Sequence, residues 1–197
     1  WKHIAKEFEA RLNFPHCFGA VDGKYVQSIP PNGQGSYFYN YKGFHSMVLM
    51  AVVNANYEFI IYEFGVNGRI CDGGVIEQTI FYNKLKENTL QIPVFDHLSG
   101  SDKMLSDVFI GVEAFALAPH FLKPFNQREL TNERKIFNYR LSRTRRVVEN
   151  AFGILANRFR IFHTTINLNL KTVYIIVMTY CVLHNFFEKV ICFQLYS

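Results

Sequence analysis

"DVFIGVEAF", residues 107–115, is the stretch from which the rest of the chain falls into order. It reads as a short buried strand running out into a polar, proline-bearing segment. A strand that ends this way brings a functional side chain to the rim of a sheet. The residues at its end are Val112 and Glu113. Valine is inert, and neighbouring side chains on a strand point to opposite faces, so the two cannot serve interchangeably.

Working upstream, "VIEQTIFYNKLKEN" has the spacing of an amphipathic helix that Asp72 would cap. Before it, "FHSMVLMAVVNANYEFIIYEFGV" predicts two strands joined at Asn54-Ala55-Asn56, an antiparallel hairpin with a polar tip. "PPNGQGSYFYNYKG", residues 30–43, is loop chemistry with three glycines and an aromatic cluster. "FPHCFGAVDGK" places an apolar strand directly before Asp22-Gly23, and "WKHIAKEFEARLN" is helical, with Ile4, Phe8 and Leu12 on one side. Downstream, a long loop with Pro119 and Pro124 leads into a long helix that Thr131 or Asn132 would cap, with Glu133 in its first turn. A short strand near "TTINLNL" and an apolar helix from Lys171 to about Glu188 close the chain.

The order is three strands, a crossover helix, a parallel fourth strand and a long helix. That predicts an α/β fold: a ribonuclease-H-like mixed sheet with helices on both faces. In such a sheet the first and fourth strands deliver carboxylates side by side, and a later helix brings a third acid to the same edge. Residues 1–13 are expected to be the end of a preceding helical region, because the chain begins abruptly with Trp1 in a helical pattern, and residues 14–190 a single domain.

A chain of 197 residues with 49% hydrophobic and 19% charged residues belongs with globular proteins and not disordered ones. Its net charge of +5 is concentrated. Between Arg128 and Arg160 stand nine basic residues against three acids, a local +6. A localised basic stripe points to nucleic acid; the plainer reading is a solvated helix face. Cys17, Cys71, Cys181 and Cys192 show no metal-ligand spacing and read as free thiols in a reducing compartment. No signal peptide opens the sequence, and secretion is not expected. "VYIIVMTYCVL", residues 173–183, reads as a buried helix too short to span a bilayer, and no membrane partner is expected.

Three acids stand out. Asp22 is expected at the end of the first strand, either as a plain Asp-Gly turn or as a rim carboxylate. Glu149 lies at the centre of the polar face of the long helix, between Arg145 and Arg146. It is either one member of an intrahelical ion pair or a metal ligand beside a phosphate backbone. Asp72 is either a helix cap or an acid at the same edge. Converging carboxylates of this kind suit phosphodiester cleavage with Mg²⁺ or Mn²⁺, and Arg140, Arg143, Arg145 and Arg146 would neutralise phosphates.

In this order and at these distances, "FPHCFGAVDGK", "SYFYNYKGFHSMVLMAVVNANY", "GVNGRICDGG", "LTNERKIFNYRLSRTRRVVENAFGILANRFRIF" and "CVLHNFF" resemble the DDE endonuclease domain of PIF/Harbinger-type transposases and the nucleases derived from them. The resemblance runs from about Phe14 to Phe187. It implies a divalent-metal-dependent DNA endonuclease, with Asp22, Asp72 and Glu149 catalytic and Asp22, Asp72, Glu113 and Glu149 as the available metal ligands. Arg140, Arg143, Arg145, Arg146 and Arg158 are the expected DNA-binding residues. DNA is the expected partner, with a separate DNA-binding protein as a second and the nucleus as the location. The family's fourth strand ends Ala-Asp-Glu-Ala-Phe, where this chain has Gly111-Val112-Glu113-Ala114-Phe115. Val112 thus stands in place of the expected second catalytic aspartate and is expected to impair the site. Tyr25 replaces a usual histidine, and Cys71 a usual serine or histidine. The rival expectation is a catalytically silent DNA-binding or protein-interaction module domesticated from a transposon.

Overall fold

The computed structural model describes residues 1–70, 72–93, 96–97, 102–111, 120–126, 128 and 130–196, with backbone only at 72, 73, 96 and 192–196. In chain order the elements are α1 (Lys2–Leu12), β1 (Cys17–Gln27), the one-turn α2 (Gly35–Phe38), β2 (Ser46–Val53), β3 (Phe59–Asn67), α3 (Asp72–Glu77), α4 (Ile80–Lys86), β4 (Asp96–His97), β5 (Met104–Leu105), β6 (Val108–Ile110), β7 (Phe121–Leu122), α5 (Asn132–Arg158), a 3₁₀ turn (Arg160–His163) and α6 (Leu170–Tyr196).

The main sheet has the order β3-β2-β1-β6-β7. β1 and β2 pair antiparallel, as do β2 and β3, while β6 runs parallel to β1 and β7 parallel to β6. This is the mixed, ribonuclease-H-like sheet that the order of motifs predicts. Every residue of β2, "SMVLMAVV", is buried, as befits an inner strand covered on both faces. One face packs Ala20, Leu49, Ala51 and Ile110 against Leu141, Val148, Ala151 and Leu155 of α5 and Val173, Val177 and Cys181 of α6. The other packs Phe18, Val21, Met50 and Phe109 against Val75 and Ile76 of α3 and Phe81 and Leu85 of α4. Phe8 of α1 is fully buried in the first cluster, and Trp1 packs against the second.

Four expectations need correction. The strand at Asp22-Gly23 does not end there; β1 runs on to Gln27, because β2 pairs with it through Asp22↔Ala51 and beyond to Gln27↔Ser46. The single helix expected after Asp72 is two. Thr79 caps α4 by accepting the Tyr82 amide, and Glu63 of β3 accepts the Ile80 and Phe81 amides at 2.9 and 2.8 Å. Asp72 is the first residue of α3. The expected strand near "TTINLNL" is one isolated bridge, Ser28↔Ile166, while the stretch after Pro119, read as loop, supplies β7. Thr131 is the cap of α5, and its side chain together with a backbone amide holds the Glu133 carboxyl below its ordinary value.

α6 departs furthest from its expectation. It is 27 residues long, and among its described side chains one stripe is buried: Val173, Val177, Cys181 and His184. Ile175, Val182, Phe186 and Val190 are exposed on the other side. By length and composition, residues Leu170–Ile191 are sufficient to cross a membrane, contrary to the shorter run read from the sequence. "LHN" in this helix is a clamp. Asn185 donates to the Phe59 carbonyl at 2.9 Å and accepts the Phe59 amide at 2.8 Å. His184 Nε2 donates to the Tyr57 carbonyl at 2.8 Å, and burial lowers its pKa.

A depressed histidine stays neutral in the folded state where the unfolded chain takes up a proton, near pH ~6.5. The stability it contributes is therefore full above that value and lost as the pH falls towards the folded-state pKa. Thermal unfolding followed between about pH 7.5 and 5 should show a falling midpoint. His184→Gln should flatten that slope; an unchanged slope removes His184 as its source.

Candidate active site

β1 carries Asp22 opposite Ala51, and Ala51 belongs to the core under α5. Cross-strand partners share a face, so Asp22 is directed at α5. Its Oδ1 accepts the Gly23 amide at 2.8 Å. The glycine the sequence offered as a turn thus serves here by holding the carboxylate with its own N–H.

α5 is fixed over the sheet by Thr144, Val147, Val148, Ala151 and Leu155, all buried. Thr144 is buried mid-helix with its hydroxyl satisfied, donating to the Arg140 carbonyl at 2.9 Å. This packing turns Arg145 and Glu149 to the edge of the contact. Arg145 Nη1 lies 2.5 Å from Glu149 Oε1 and 3.8 Å from Asp22 Oδ2. One guanidinium nitrogen therefore stands between two carboxylates that come from different elements. The intrahelical pair expected from sequence is present, and the same arginine also reaches the strand.

Side-chain exposure rises from 17% at Asp22 through 25% at Arg145 to 42% at Glu149, so the group opens from a secluded strand residue to a solvent-facing helix residue. Such a pair contributes only about 0.2–0.5 kcal/mol as an exposed i,i+4 contact. The geometry matters more than the energy, because two hard oxygen donors converge on a single cationic point. A divalent cation of the Mg²⁺ type asks for one or two carboxylates and completes its shell with water. Asp22 and Glu149 fit that requirement. Among the described residues no three His, Cys, Asp or Glu side chains converge on one point.

The remaining sequence candidates are distributed as follows. Val112 and Glu113 lie outside the described residues, as does the side chain of Asp72. α3, which Asp72 opens, packs through Val75 and Ile76 on the sheet face away from α5. Arg140, Arg143 and Arg146 are exposed along α5, beside exposed Ile136 and Tyr139. Arg158 stands between three and four turns beyond Arg145, engaged with Glu188 at 3.0 Å and with Phe187, whose ring centroid is 5.2 Å away. Lys24 was not singled out from the sequence. It follows Asp22 by two residues on β1 and pairs with Leu49, a core residue of the α5 face, so it shares the face of Asp22. Burial, and then Lys42, lower its pKa. The period of two along "VDGK" was the available signal.

A family model described as "DDE superfamily endonuclease" matches residues 21–185, a span that includes both Asp22 and Glu149. "Protein ALP1-like" of Arabidopsis thaliana is 25% identical over 190 residues, covering 92% of this chain and 45% of its own length. The chain thus spans a little under half of that relative. No solved structure matches.

Proposed function

Because the chain belongs to the DDE superfamily of endonucleases, we propose that it is a transposase-derived DNA endonuclease domain of the PIF/Harbinger type, acting on phosphodiesters at the Asp22–Glu149 edge. The observation that carries this reading is the convergence of Asp22 Oδ2 and Glu149 Oε1 on one guanidinium nitrogen. Their oxygens would hold Mg²⁺ or Mn²⁺. When bound, such an ion activates water or a 3′-hydroxyl and stabilises the leaving oxygen. Asp22, tethered by the Gly23 amide, fixes one donor on the rigid sheet, and Glu149 supplies the second from the rim. Arg140, Arg143 and Arg146 meet the DNA backbone by charge, with an affinity that falls as salt rises.

Val112 offers no oxygen to a metal, and on this reading the domain is an impaired nuclease. Asp72 and Glu113 are the remaining acids that would complete the site. A second reading, a silent DNA-binding or protein-interaction module, is favoured by the exposed apolar side of α6. The nucleus, and a separate DNA-binding partner protein, follow from the family reading alone.

Nicking of supercoiled DNA with Mn²⁺ separates these. The native chain should nick weakly or not at all, and Val112→Asp should gain activity. Nicking by the native chain that Glu113→Gln abolishes assigns the missing ligand to Glu113. If neither the native chain nor Val112→Asp nicks DNA or binds Mn²⁺, the active-site reading fails.

A further inference from the structure

Residues 28–45 join β1 to β2 and contain no acid. They present Tyr37, Tyr39 and Tyr41 at 58%, 51% and 74% exposure, with Tyr41 the most exposed large hydrophobic residue on the described surface. Aromatic rings left in water normally belong to a loose loop, but this one is built. Asn40 is buried, its Oδ1 accepts the Lys42 and Phe44 amides at 2.9 and 3.3 Å, and its Nδ2 donates to Ser46 Oγ at 2.8 Å. The Asn40 carbonyl accepts the Gly43 amide at 3.1 Å, and Gly43 has φ +86°, a conformation that favours glycine. A fully bonded asparagine therefore holds Tyr39 and Tyr41 outward on either side of it.

A cation accompanies the rings. Lys42 Nζ lies 5.4 Å from the Tyr25 ring centroid and 5.7 Å from that of Tyr41, and the two rings meet edge-on at 5.8 Å. Among the described residues no carboxylate forms an ion pair with Lys42. An ammonium group seated on two rings, in a loop without an acid, is a place that an anion complements. Exposed aromatic faces beside it suit a planar, stackable group.

We propose that the Tyr39–Lys42 turn is a binding site for a single-stranded segment of nucleic acid: bases stack on Tyr41 and Tyr39, and a phosphate meets Lys42. It rests on the DNA reading above and deepens it.

The test is fluorescence anisotropy with a labelled oligothymidine 12-mer and a duplex of equal length, using the full chain without metal. The native chain should bind both. Tyr41→Ala should weaken single-strand binding about tenfold, the scale of one lost base stack. Tyr41→Phe should restore it, and duplex affinity should stay within twofold. Single-strand affinity unchanged in Tyr41→Ala overturns the proposal while leaving the DNA reading intact. An equal loss for duplex and single strand overturns the single-strand assignment. No binding of either probe by the native chain overturns this site and the DNA reading together. Circular dichroism of each variant checks that the fold is retained.

Discussion

Phe109→Ala is expected to destabilise the fold by about 3–5 kcal/mol, the range for removing a fully buried aromatic ring. Phe109 is the middle residue of β6 and has no exposure. Its ring meets Phe81 at 5.0 Å, Trp1 at 5.7 Å, Phe18 at 6.1 Å and Phe121 at 6.3 Å between centroids. Those neighbours come from α4, the chain start, β1 and β7, so the cavity left behind has no single flexible element to collapse into it. Trp1 is the chain's one tryptophan, which makes its fluorescence a direct reporter of this cluster. Urea unfolding read at that wavelength should show the loss as a lower midpoint with an unchanged slope. Phe186→Ala, at a ring 59% exposed on α6, should stay within about 0.5 kcal/mol of the native chain. A Phe109 variant as mild as the Phe186 one would mean that the ring cluster is not the core of that face.

The second large effect concerns Mn²⁺ and has two opposite signs. Asp22→Asn should weaken Mn²⁺ binding on the order of a hundredfold, since even residues that only support a metal ligand cost 10–100-fold when replaced. Arg145→Gln should strengthen it severalfold. In the native chain a cation entering between Asp22 and Glu149 must first displace the guanidinium that stands 3.8 and 2.5 Å from them. Removing that group takes one positive charge away from both carboxylates. Isothermal titration of Mn²⁺ into the three proteins reads both signs. If Asp22→Asn binds as the native chain does, Asp22 is not a ligand. If Arg145→Gln binds more weakly, the arginine supports the ion instead of competing with it.

How far the sequence led depended on the range of the interactions involved. Strands β1 to β3 and helix α5 show an apolar run or a periodicity over eight or more residues and are legible. β7 is two residues, Phe121 and Leu122, and nothing so short has a period; only its pairing with β6 makes it a strand. The break between α3 and α4 depends partly on Thr79, which is visible in the sequence. It depends equally on Glu63, 17 residues earlier, which binds the first amides of α4. Asp22 was identified as a candidate, yet its place within a continuing strand is decided by β2. Its meeting with Arg145 is decided by how α5 lies across the sheet. The apolar character of α6 was plain, but composition does not say how much of a helix its own domain covers.

The contact from Asp22 through Arg145 to Glu149 bears finally on what can be lost without notice. It ties strand to helix with groups drawn from those two elements, and the clamp from His184 and Asn185 fastens α6 elsewhere. None of these ties draws on a bound cation. A copy of this domain can therefore drift out of catalysis and still pass every test that folding imposes. The survival of the protein in a cell and the survival of its chemistry are separate inheritances, and on the reading proposed above position 112 bears on the second alone.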